Sequence, residues 1–219
     1  MIINNIKQDW DVKIFNKNKD CPYIVIDNWY TKEEEENVWK ELDYFSNVRN
    51  LPRGEDTIIA SDKKGNPLGK HFRMYIDLWL TPEGRRTSYI FNYLYKQTDP
   101  QFHNLLLNAS PIFRNFQSTN YCSAFCSYYE KDDHYDEHFD TNLFTCLIWF
   151  YKEPKKFEGG DFYLTEINDK IECKQNRMLL FPGYALHKVS PIKLKTNKKG
   201  NFGRYTITHF YGFESLRQK

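Results

Sequence analysis

The sequence predicts an α+β protein in which helices come first and a body of short strands follows as a β-sandwich or jelly roll. Helix-start signals are concentrated before residue 111, whereas segments rich in β-branched and aromatic residues succeed one another afterwards. Gly, Pro and Asn residues separate these segments, as turns between neighbouring strands require. The eight predicted strands are Ile112–Ser118, Tyr121–Glu130, Leu143–Tyr151, Asp161–Leu164, Lys170–Glu172, Met178–Phe181, Leu186–Pro191 and Phe202–Phe213.

The N-terminal half begins with a short buried strand, Tyr23–Asp27, in which Val and Ile stand between turn residues. Thr31 followed by Glu34 forms a capping box, so we expect a helix from Lys32 to about Phe45. The next stretch, Asn47–Lys70, is rich in Gly, Pro and charged residues. It is predicted to be a long loop or a lid, because such stretches rarely persist in compact domains without a role.

A strand near His71–Leu80 follows this loop. Thr81-Pro82 then provides an N-cap and a first-turn proline for a helix to about Gln97, and Asp99-Pro100 does the same for a helix through Leu107. No segment has the composition of a linker. We therefore expect a single domain over residues 1–219, with supporting elements in 1–111 and the jelly-roll core in 112–213.

Charge and composition exclude several classes of protein. The chain has 31 Lys and Arg against 29 Asp and Glu, a net charge of +2, which argues against a basic coat for nucleic acid. No apolar run approaches the ~20 residues of a membrane helix, and Met1–Trp10 lacks a signal-peptide pattern. Five cysteines without zinc-type spacing favour a reducing interior. We expect a soluble cytoplasmic or other intracellular protein with no membrane partner.

One stretch rich in His and Asp indicates a metal site. His138 and Asp140 are two residues apart, so on an extended strand both side chains point to one face and can meet one ion. A third ligand must come from elsewhere, and His187 is the best candidate. Two His and one carboxylate leave three positions of an octahedral ion open, which suits iron(II) binding a chelating co-substrate and dioxygen. On spacing alone, His134 and Asp136 form an alternative pair.

The order of the residues resembles the prolyl 4-hydroxylase branch of the iron(II) and 2-oxoglutarate dependent dioxygenases. That family has Tyr, a turn, Tyr-x-x-His-x-Asp, a Thr-bearing strand, Gly-Gly, Phe before the distal His, and Arg or Lys on the last strand. The matching residues here are, in order, Tyr129, Tyr135, His138, Asp140, Thr145, Gly159-Gly160, Phe181, His187 and Arg204. The match covers about residues 121 to 213, and Cys21–Asp27 resembles the family's entry segment. This spacing favours the His138 pair over the His134 pair.

The resemblance implies a double-stranded β-helix, the jelly roll of this family, with packed N-terminal helices. It implies that His138, Asp140 and His187 hold Fe(II), with no catalytic residue beyond the metal centre. The cofactors implied are Fe(II), 2-oxoglutarate as co-substrate, O2 and, in this branch, ascorbate. The implied reaction is that of a procollagen-proline dioxygenase, in which 2-oxoglutarate becomes succinate and CO2 while a proline of a peptide or protein is hydroxylated.

The co-substrate has a distal carboxylate, and Arg204 offers a planar fork that can bind it bidentately. Thr206 and Thr208 share the strand face of Arg204, so either hydroxyl can add a hydrogen bond. The resemblance favours Thr208. It also favours Tyr129 as the phenol contact, with Tyr128 as the alternative.

Three features depart from the family pattern or stay open. Trp149 stands where many relatives have a Tyr that contacts the co-substrate. The spacing from His187 to Arg204 is longer than usual, and the extra residues form a lysine-rich loop, Lys193–Gly203. This loop is either a solvated hairpin tip or an electrostatic guide for an acidic substrate. His209 mimics a third ligand but has the opposite parity to Arg204, so we expect it to face away.

The predicted substrate is a peptidyl proline held under the Asn47–Lys70 loop. A free amino acid, another protein side chain or a nucleic acid stays open. The alkylated-base demethylases carry a second Arg soon after the first, whereas the next Arg here is Arg217. The rival from another class is a non-catalytic jelly-roll binding module, in which the same residues bind a structural ion or none. Such a module needs no carboxylate anchor, so Arg204 argues against it.

Overall fold

The structure, a computed structural model, describes residues 9–46, 59–76, 82–196 and 201–214. Three predicted features fall partly outside these ranges. They are the first part of the lid loop (47–58), the end of the strand near His71 together with the N-cap at Thr81 (77–81), and the tip of the lysine-rich loop (197–200). Within the described ranges, none of the helices has the length and apolar character needed to cross a membrane.

The described part of the chain contains fourteen strands, and every strand pair is antiparallel. The strands are β1 (Asp11–Phe15), β2 (Tyr23–Asp27), β3 (Gly69–Lys70), β4 (Phe72–Tyr75), β5 (Tyr121–Tyr129), β6 (His134–His138), β7 (Phe144–Phe150), β8 (Phe157–Gly159), β9 (Phe162–Leu164), β10 (Asp169–Ile171), β11 (Arg177–Pro182), β12 (His187–Val189), β13 (Ile192–Leu194) and β14 (Arg204–Gly212).

These strands form two large sheets and one small pair. A seven-stranded sheet has the order β1-β2-β11-β7-β14-β5-β4, and a five-stranded sheet has the order β10-β9-β12-β6-β3. The remaining strands, β8 and β13, pair with each other. The predicted α+β double-stranded β-helix is confirmed.

The helices precede the jelly roll in the chain. The α-helices are α1 (Lys32–Ser46), α2 (Pro82–Thr87), α3 (Tyr89–Asn92) and α4 (Pro100–Ala109), and 3-10 helices span Tyr93–Thr98 and Pro111–Ser118. The start of α1 confirms the predicted capping box. The backbone N–H of Thr31 donates to Glu34 Oε2 at 2.8 Å, and the N–H of Glu34 donates to Thr31 Oγ1 at 3.3 Å.

Alternation along the strands divides the interior into two apolar cores. On β7, Ile148 belongs to a core with Leu42 of α1 and Leu106 of α4. Trp149, the next residue, belongs to a second core with Phe162 of the five-stranded sheet. Successive strand residues point to opposite faces, so one face of the seven-stranded sheet packs on the helices and the other faces the second sheet. The interior between the sheets is therefore where a site can form.

Two predictions of local structure are wrong. Ile112–Ser118 is a 3-10 helix rather than a strand, because Pro111 starts a helical turn and the buried residues Phe113 and Phe116 are three positions apart. The single helix expected up to Gln97 is broken, since Ser88 adopts extended backbone angles and its side chain caps a new helix by accepting from Phe91 N–H.

Candidate active site

The structure brings the three predicted metal ligands together. His138 ends β6, His187 begins β12, and the two are direct partners across these strands. Asp140 follows β6, with Oδ1 at 3.9 Å from His138 Nε2 and Oδ2 at 3.6 Å from His187 Nε2. One ligand atom from each residue lies within 4.8 Å of the other two. His187 thus forms one cluster with His138 and Asp140, which precede it by 49 and 47 residues.

Both imidazoles are oriented by the backbone. The Nδ1 atom of His138 lies 2.7 Å from the carbonyl oxygen of Asp136, and that of His187 lies 2.8 Å from the carbonyl oxygen of Ala185. These contacts direct both Nε2 atoms into the cluster, and a metal-ligating His is usually held in this way through its other ring nitrogen. Burial lowers the pKa of both His138 and His187 to about 4. Both rings are therefore neutral at pH 7, the form that binds a metal.

Asp140 is fixed from two sides. The hydroxyl of Thr145 on β7 donates to Asp140 Oδ2 at 2.6 Å, and the backbone N–H of Asp140 donates to the Gly183 carbonyl at 2.8 Å. Gly183 permits this approach, because a Cβ there would lie 2.0 Å from the Asn142 carbonyl oxygen. Burial raises the pKa of Asp140, so a bound cation would favour its charged form. Two neutral imidazoles and one carboxylate on one face fit Fe(II).

A cavity of about 330 Å³ extends from this cluster between the two sheets. Its volume is at the lower end of the ~300–1,000 Å³ of ligand pockets. Phe162, Leu147 and Val189 supply apolar wall, and Ile59 and Ala60 from the described part of the predicted lid loop close one side. The cavity is thus a largely apolar chamber with a small number of polar groups.

Arg204 lines the cavity from the first residue of β14 and is only 1% exposed. Its guanidinium carbon lies 4.2 Å from the ring centroid of Tyr129, its direct partner on β5. One guanidinium nitrogen donates to the Gly160 carbonyl, while Nε has no hydrogen-bond partner among the described residues. A buried donor without an acceptor is costly unless a ligand supplies one.

Two more buried donors lie beside Arg204 on the same inner face. Thr206 Oγ1 and Trp149 Nε1 have no hydrogen-bond partner among the described residues, and the two residues are register partners on β14 and β7. Arg204 and Thr206 are alternate residues of one strand and share its inner face. A carboxylate would satisfy such donors, so the residues present fit the distal end of 2-oxoglutarate.

The structure distinguishes Tyr129 from Tyr128 but brings both Thr206 and Thr208 to the cavity. Tyr129 lines the cavity, whereas the hydroxyl of Tyr128 accepts from Gly203 N–H and its ring packs on Tyr205. Both Thr206 and Thr208 line the cavity. His209 is buried on the opposite face of β14, as its parity predicts.

The second His-x-Asp pair stays outside the cavity. His134 is partly exposed, and the Asp136 side chain is 66% exposed. In the lysine-rich loop, Lys195 follows β13 directly, and its Nζ lies 3.0 Å from a carboxylate oxygen of Glu158 on β8. This lysine is therefore held by the protein's own carboxylate.

Sequence reasoning missed Arg73 of β4, which also lines the cavity. Phe72 and Met74 alternate with it, and Met74 belongs to the core under the helices. Strand parity therefore directs Arg73 inward. A charged residue at an inward position of a predicted strand was the available signal.

The sequence model of the 2OG-Fe(II) oxygenase superfamily matches residues 124–212, which include the cluster and Arg204. Residues 124–212 therefore match a 2OG-Fe(II) oxygenase domain. The resemblance stated from the sequence is thereby confirmed, and the family implies Fe(II), 2-oxoglutarate and O2 as its cofactors. No curated protein sequence matches this chain.

Solved structures share the fold of this chain at low identity. A prolyl-4-hydroxylase from Pseudomonas putida is 10% identical with a TM-score of 0.57, covering 88% of this chain and 93% of its own. The viral collagen prolyl hydroxylase of Paramecium Bursaria Chlorella virus-1 is 13% identical with a TM-score of 0.51, covering 86% and 94%. NgTET1, solved with 5mC DNA, is 16% identical with a TM-score of 0.50, covering 90% and 74%. These likenesses establish a shared fold.

Proposed function

We propose that this oxygenase hydroxylates proline residues of a peptide or protein, as a prolyl 4-hydroxylase. In this proposal His138, Asp140 and His187 hold Fe(II). The observation that carries it is the convergence of these three side chains at one end of a cavity whose other end holds Arg204. When bound, Fe(II) with 2-oxoglutarate and O2 supplies the oxidation, in which one oxygen atom enters the substrate C–H bond and the other enters succinate as CO2 leaves.

Arg204, Tyr129 and Thr208 are our assigned contacts for 2-oxoglutarate. Arg204 binds the distal carboxylate through its planar fork, and the Tyr129 ring holds the guanidinium in place at 4.2 Å. The buried hydroxyl of Thr206 lines the cavity and has no hydrogen-bond partner among the described residues, which supports adding this residue to the set.

The chain's own residues also keep the metal end dry and ordered. The ring of Tyr135 stacks on His138 at 3.7 Å, and that of Phe162 stacks on His187 at 5.1 Å. The Tyr135 hydroxyl in turn accepts from the backbone N–H of Ala60 at 3.0 Å. The loop around residues 59–70 therefore supports the site from the side, and exclusion of water strengthens every electrostatic contact in the cavity.

The rim of the cavity supports a proline-containing peptide as substrate. A groove next to the cavity, sharing Thr141 and Asn142 with it, is lined by Tyr121, Tyr184 and Phe213. Each of these rings is at least 40% exposed. Aromatic-lined grooves are the usual docking sites for polyproline II segments.

By analogy with the prolyl 4-hydroxylases, ascorbate would serve as the reductant that keeps iron in its Fe(II) state.

The first test is spectroscopic. Anaerobic addition of Fe(II) and 2-oxoglutarate should give a weak visible charge-transfer band. Asp140→Ala should abolish the band because it removes the only carboxylate among the three ligands. Asp136→Ala is the matched control, since it removes an exposed Asp of the other His-x-Asp pair and should leave the band intact. A wild-type protein that is folded but gives no band contradicts the proposal.

The second test concerns the substrate. Proline-rich peptides incubated with Fe(II), O2 and 2-oxoglutarate should gain 16 Da, and the gain should disappear without 2-oxoglutarate. Parallel incubations with free proline and with single-stranded DNA decide between substrate classes. A mass gain confined to DNA or to free proline would replace the peptide proposal while leaving the metal and co-substrate assignments in force.

A further inference from the structure

A buried histidine that the proposed function does not use lies where the chain crosses between the two sheets. His71 is the single residue between β3, the edge strand of the five-stranded sheet, and β4, the edge strand of the seven-stranded sheet. It is 0% exposed and is not among the described residues that line the cavity. Any effect of His71 on the site must therefore act through its neighbours.

The ring of His71 packs against one tyrosine from each sheet. It is stacked on Tyr129 of β5, with ring centroids 4.5 Å apart and an interplanar angle of 14°. It also lies 5.3 Å from the ring of Tyr135 of β6, at an angle of 44°. Both tyrosines line the cavity. His71 thus fills the space between two residues of the cavity wall that come from different sheets.

Each of these tyrosines contacts a different end of the site. The ring of Tyr129 lies 4.2 Å from the guanidinium carbon of Arg204, our assigned contact for the distal carboxylate. The ring of Tyr135 stacks on that of His138, a proposed metal ligand, at 3.7 Å. Three packed rings therefore connect Arg204 to His138 along one wall of the cavity, and His71 is the middle one.

The His71 ring is fixed by packing. A Cβ at Gly69 would lie 3.1 Å from both His71 Cε1 and Tyr135 Cδ2, so the backbone of β3 closes on the two rings. Neither ring nitrogen of His71 has a hydrogen-bond partner among the described residues. Burial lowers the pKa of His71 well below its ordinary value, so the ring is neutral at pH 7. A neutral ring without hydrogen bonds is held by the rings it stacks on.

We infer that His71 is a positioning residue that sets the separation between the metal ligands and Arg204. The inference rests on the proposed function, in which 2-oxoglutarate reaches the metal with its 2-oxo acid end and Arg204 with its distal carboxylate. A ligand that makes two contacts at once gains affinity from both only when their separation matches its length. Without the His71 ring, Tyr129 and Tyr135 lose their common neighbour, and the two ends of the site lose their fixed spacing.

The experiment compares a ligand that needs both ends with a ligand that needs only the metal. Zn(II)-loaded protein is titrated by calorimetry with 2-oxoglutarate and with 2-oxopentanoate, which has a methyl group in place of the distal carboxylate. The measured quantity is the ratio of the two affinities. His71→Ala should lower the affinity for 2-oxoglutarate about tenfold, the effect of about one lost aromatic stack, and that for 2-oxopentanoate by less than about twofold.

Two matched variants test whether the ring is responsible. His71→Phe keeps a flat ring and loses no hydrogen bond of the described structure, so it should keep the wild-type ratio within about twofold. His103→Ala removes a histidine of the helical support, where its ring lies 6.5 Å from that of Phe116, and should also keep the ratio. A fall in the ratio in either variant as large as in His71→Ala would contradict the inference.

Two results for His71→Ala itself would overturn the inference. One is a ratio equal to that of the wild type. The other is an equal fall of both affinities, because a general loss of structure affects both ligands alike. If His71→Ala does not fold, His71→Leu decides, since it fills the space without a flat face for stacking. We expect the ratio to fall about threefold in that variant, and an unchanged ratio contradicts the inference.

The wild-type ratio separates this inference from the proposed function. Wild-type protein should bind 2-oxoglutarate more tightly than 2-oxopentanoate, because only 2-oxoglutarate offers a carboxylate to Arg204. Equal binding of the two ligands by the wild type would count against the proposed function, and with it the inference. A wild-type preference that survives in His71→Ala would count only against the role of His71.

Discussion

The helical support and the cavity both bury charged side chains, and they differ in how those charges are balanced. In the support, Lys96 lies 2.8 Å from Glu34 Oε2, and the two side chains are 0% and 10% exposed. In the cavity, Arg204 is 1% exposed and its Nε has no hydrogen-bond partner among the described residues. A buried charge that the chain itself pairs stabilises the fold, whereas a buried cation with an unsatisfied donor indicates a ligand.

Replacing Lys96 should have the largest effect on stability. Lys96→Met leaves Glu34 charged, buried and without its ammonium partner, which costs about 3 kcal/mol of unfolding free energy. The variant also weakens the junction of α1 with the 3-10 helix Tyr93–Thr98, where Tyr95 also donates to Glu34. Urea unfolding measures the loss, and the 2-oxoglutarate affinity of the folded fraction should not change.

The double variant Glu34→Gln/Lys96→Met is the control for that prediction. Removing both charges should restore part of the lost stability, because no unpaired charge is then buried. A double variant that is less stable than the single variant would contradict the idea that an uncompensated carboxylate is the cause.

Replacing Arg204 should give the opposite pattern. Arg204→Met should lower 2-oxoglutarate affinity about a hundredfold, about 2.7 kcal/mol, because the distal carboxylate loses its charged partner. Stability without ligand should change by less than about 1 kcal/mol, since the loss of one hydrogen bond to Gly160 is offset by removal of a buried cation.

Calorimetric titration of 2-oxoglutarate into the metal-loaded protein checks this prediction, together with urea unfolding of the metal-free protein. An Arg204→Met variant that loses stability as strongly as Lys96→Met would place Arg204 with the scaffold charges. The buried cations of both regions would then serve to stabilise the fold.

Features that depend on local rules of the chain could be predicted from the sequence. His138 and Asp140 could be placed together because strand alternation is a local rule, and His187 because turn residues and spacing marked its strand. A sandwich or jelly roll followed from the succession of apolar segments, and the resemblance to the dioxygenases implied the jelly roll. The strand β6 itself was not predicted, because its sequence, His-Tyr-Asp-Glu-His, has little apolar character.

Arg73 shows where local rules end. It reaches the cavity only because β4 pairs with β5, and these strands are separated by some 45 residues that include every described helix after α1. Register between distant strands is set by the whole packed structure rather than by a local pattern. The 3-10 helix Pro111–Ser118 was mistaken for a strand for a related reason, since a short apolar run fits both structures until its packing is known.

The smallest predicted effect concerns a second set of paired charges. Arg177 forms two contacts with Asp27, from Nε to Oδ1 at 2.5 Å and from a terminal nitrogen to Oδ2 at 2.9 Å, and Lys174 donates to Oδ2 at 2.9 Å. Burial opposes ionisation of Asp27, which is 2% exposed, but the bonds from Arg177 and Lys174 outweigh it and lower the pKa to about 2. This network links β2 to β11 within the seven-stranded sheet.

Because folding lowers the pKa of Asp27, its carboxylate stabilises the fold at pH values above its ordinary pKa of 3.8. This stabilisation is lost as the pH falls toward 2. Asp27→Asn should therefore cost about 2 kcal/mol at pH 6 and about half of that at pH 3, at 1.36 kcal/mol per pKa unit. Urea unfolding of both proteins at the two pH values measures the difference. Asp136→Asn, at an exposed position, is the control and should show no such difference between the two pH values. If the cost of Asp27→Asn does not depend on pH, packing rather than charge pairing holds this part of the sheet.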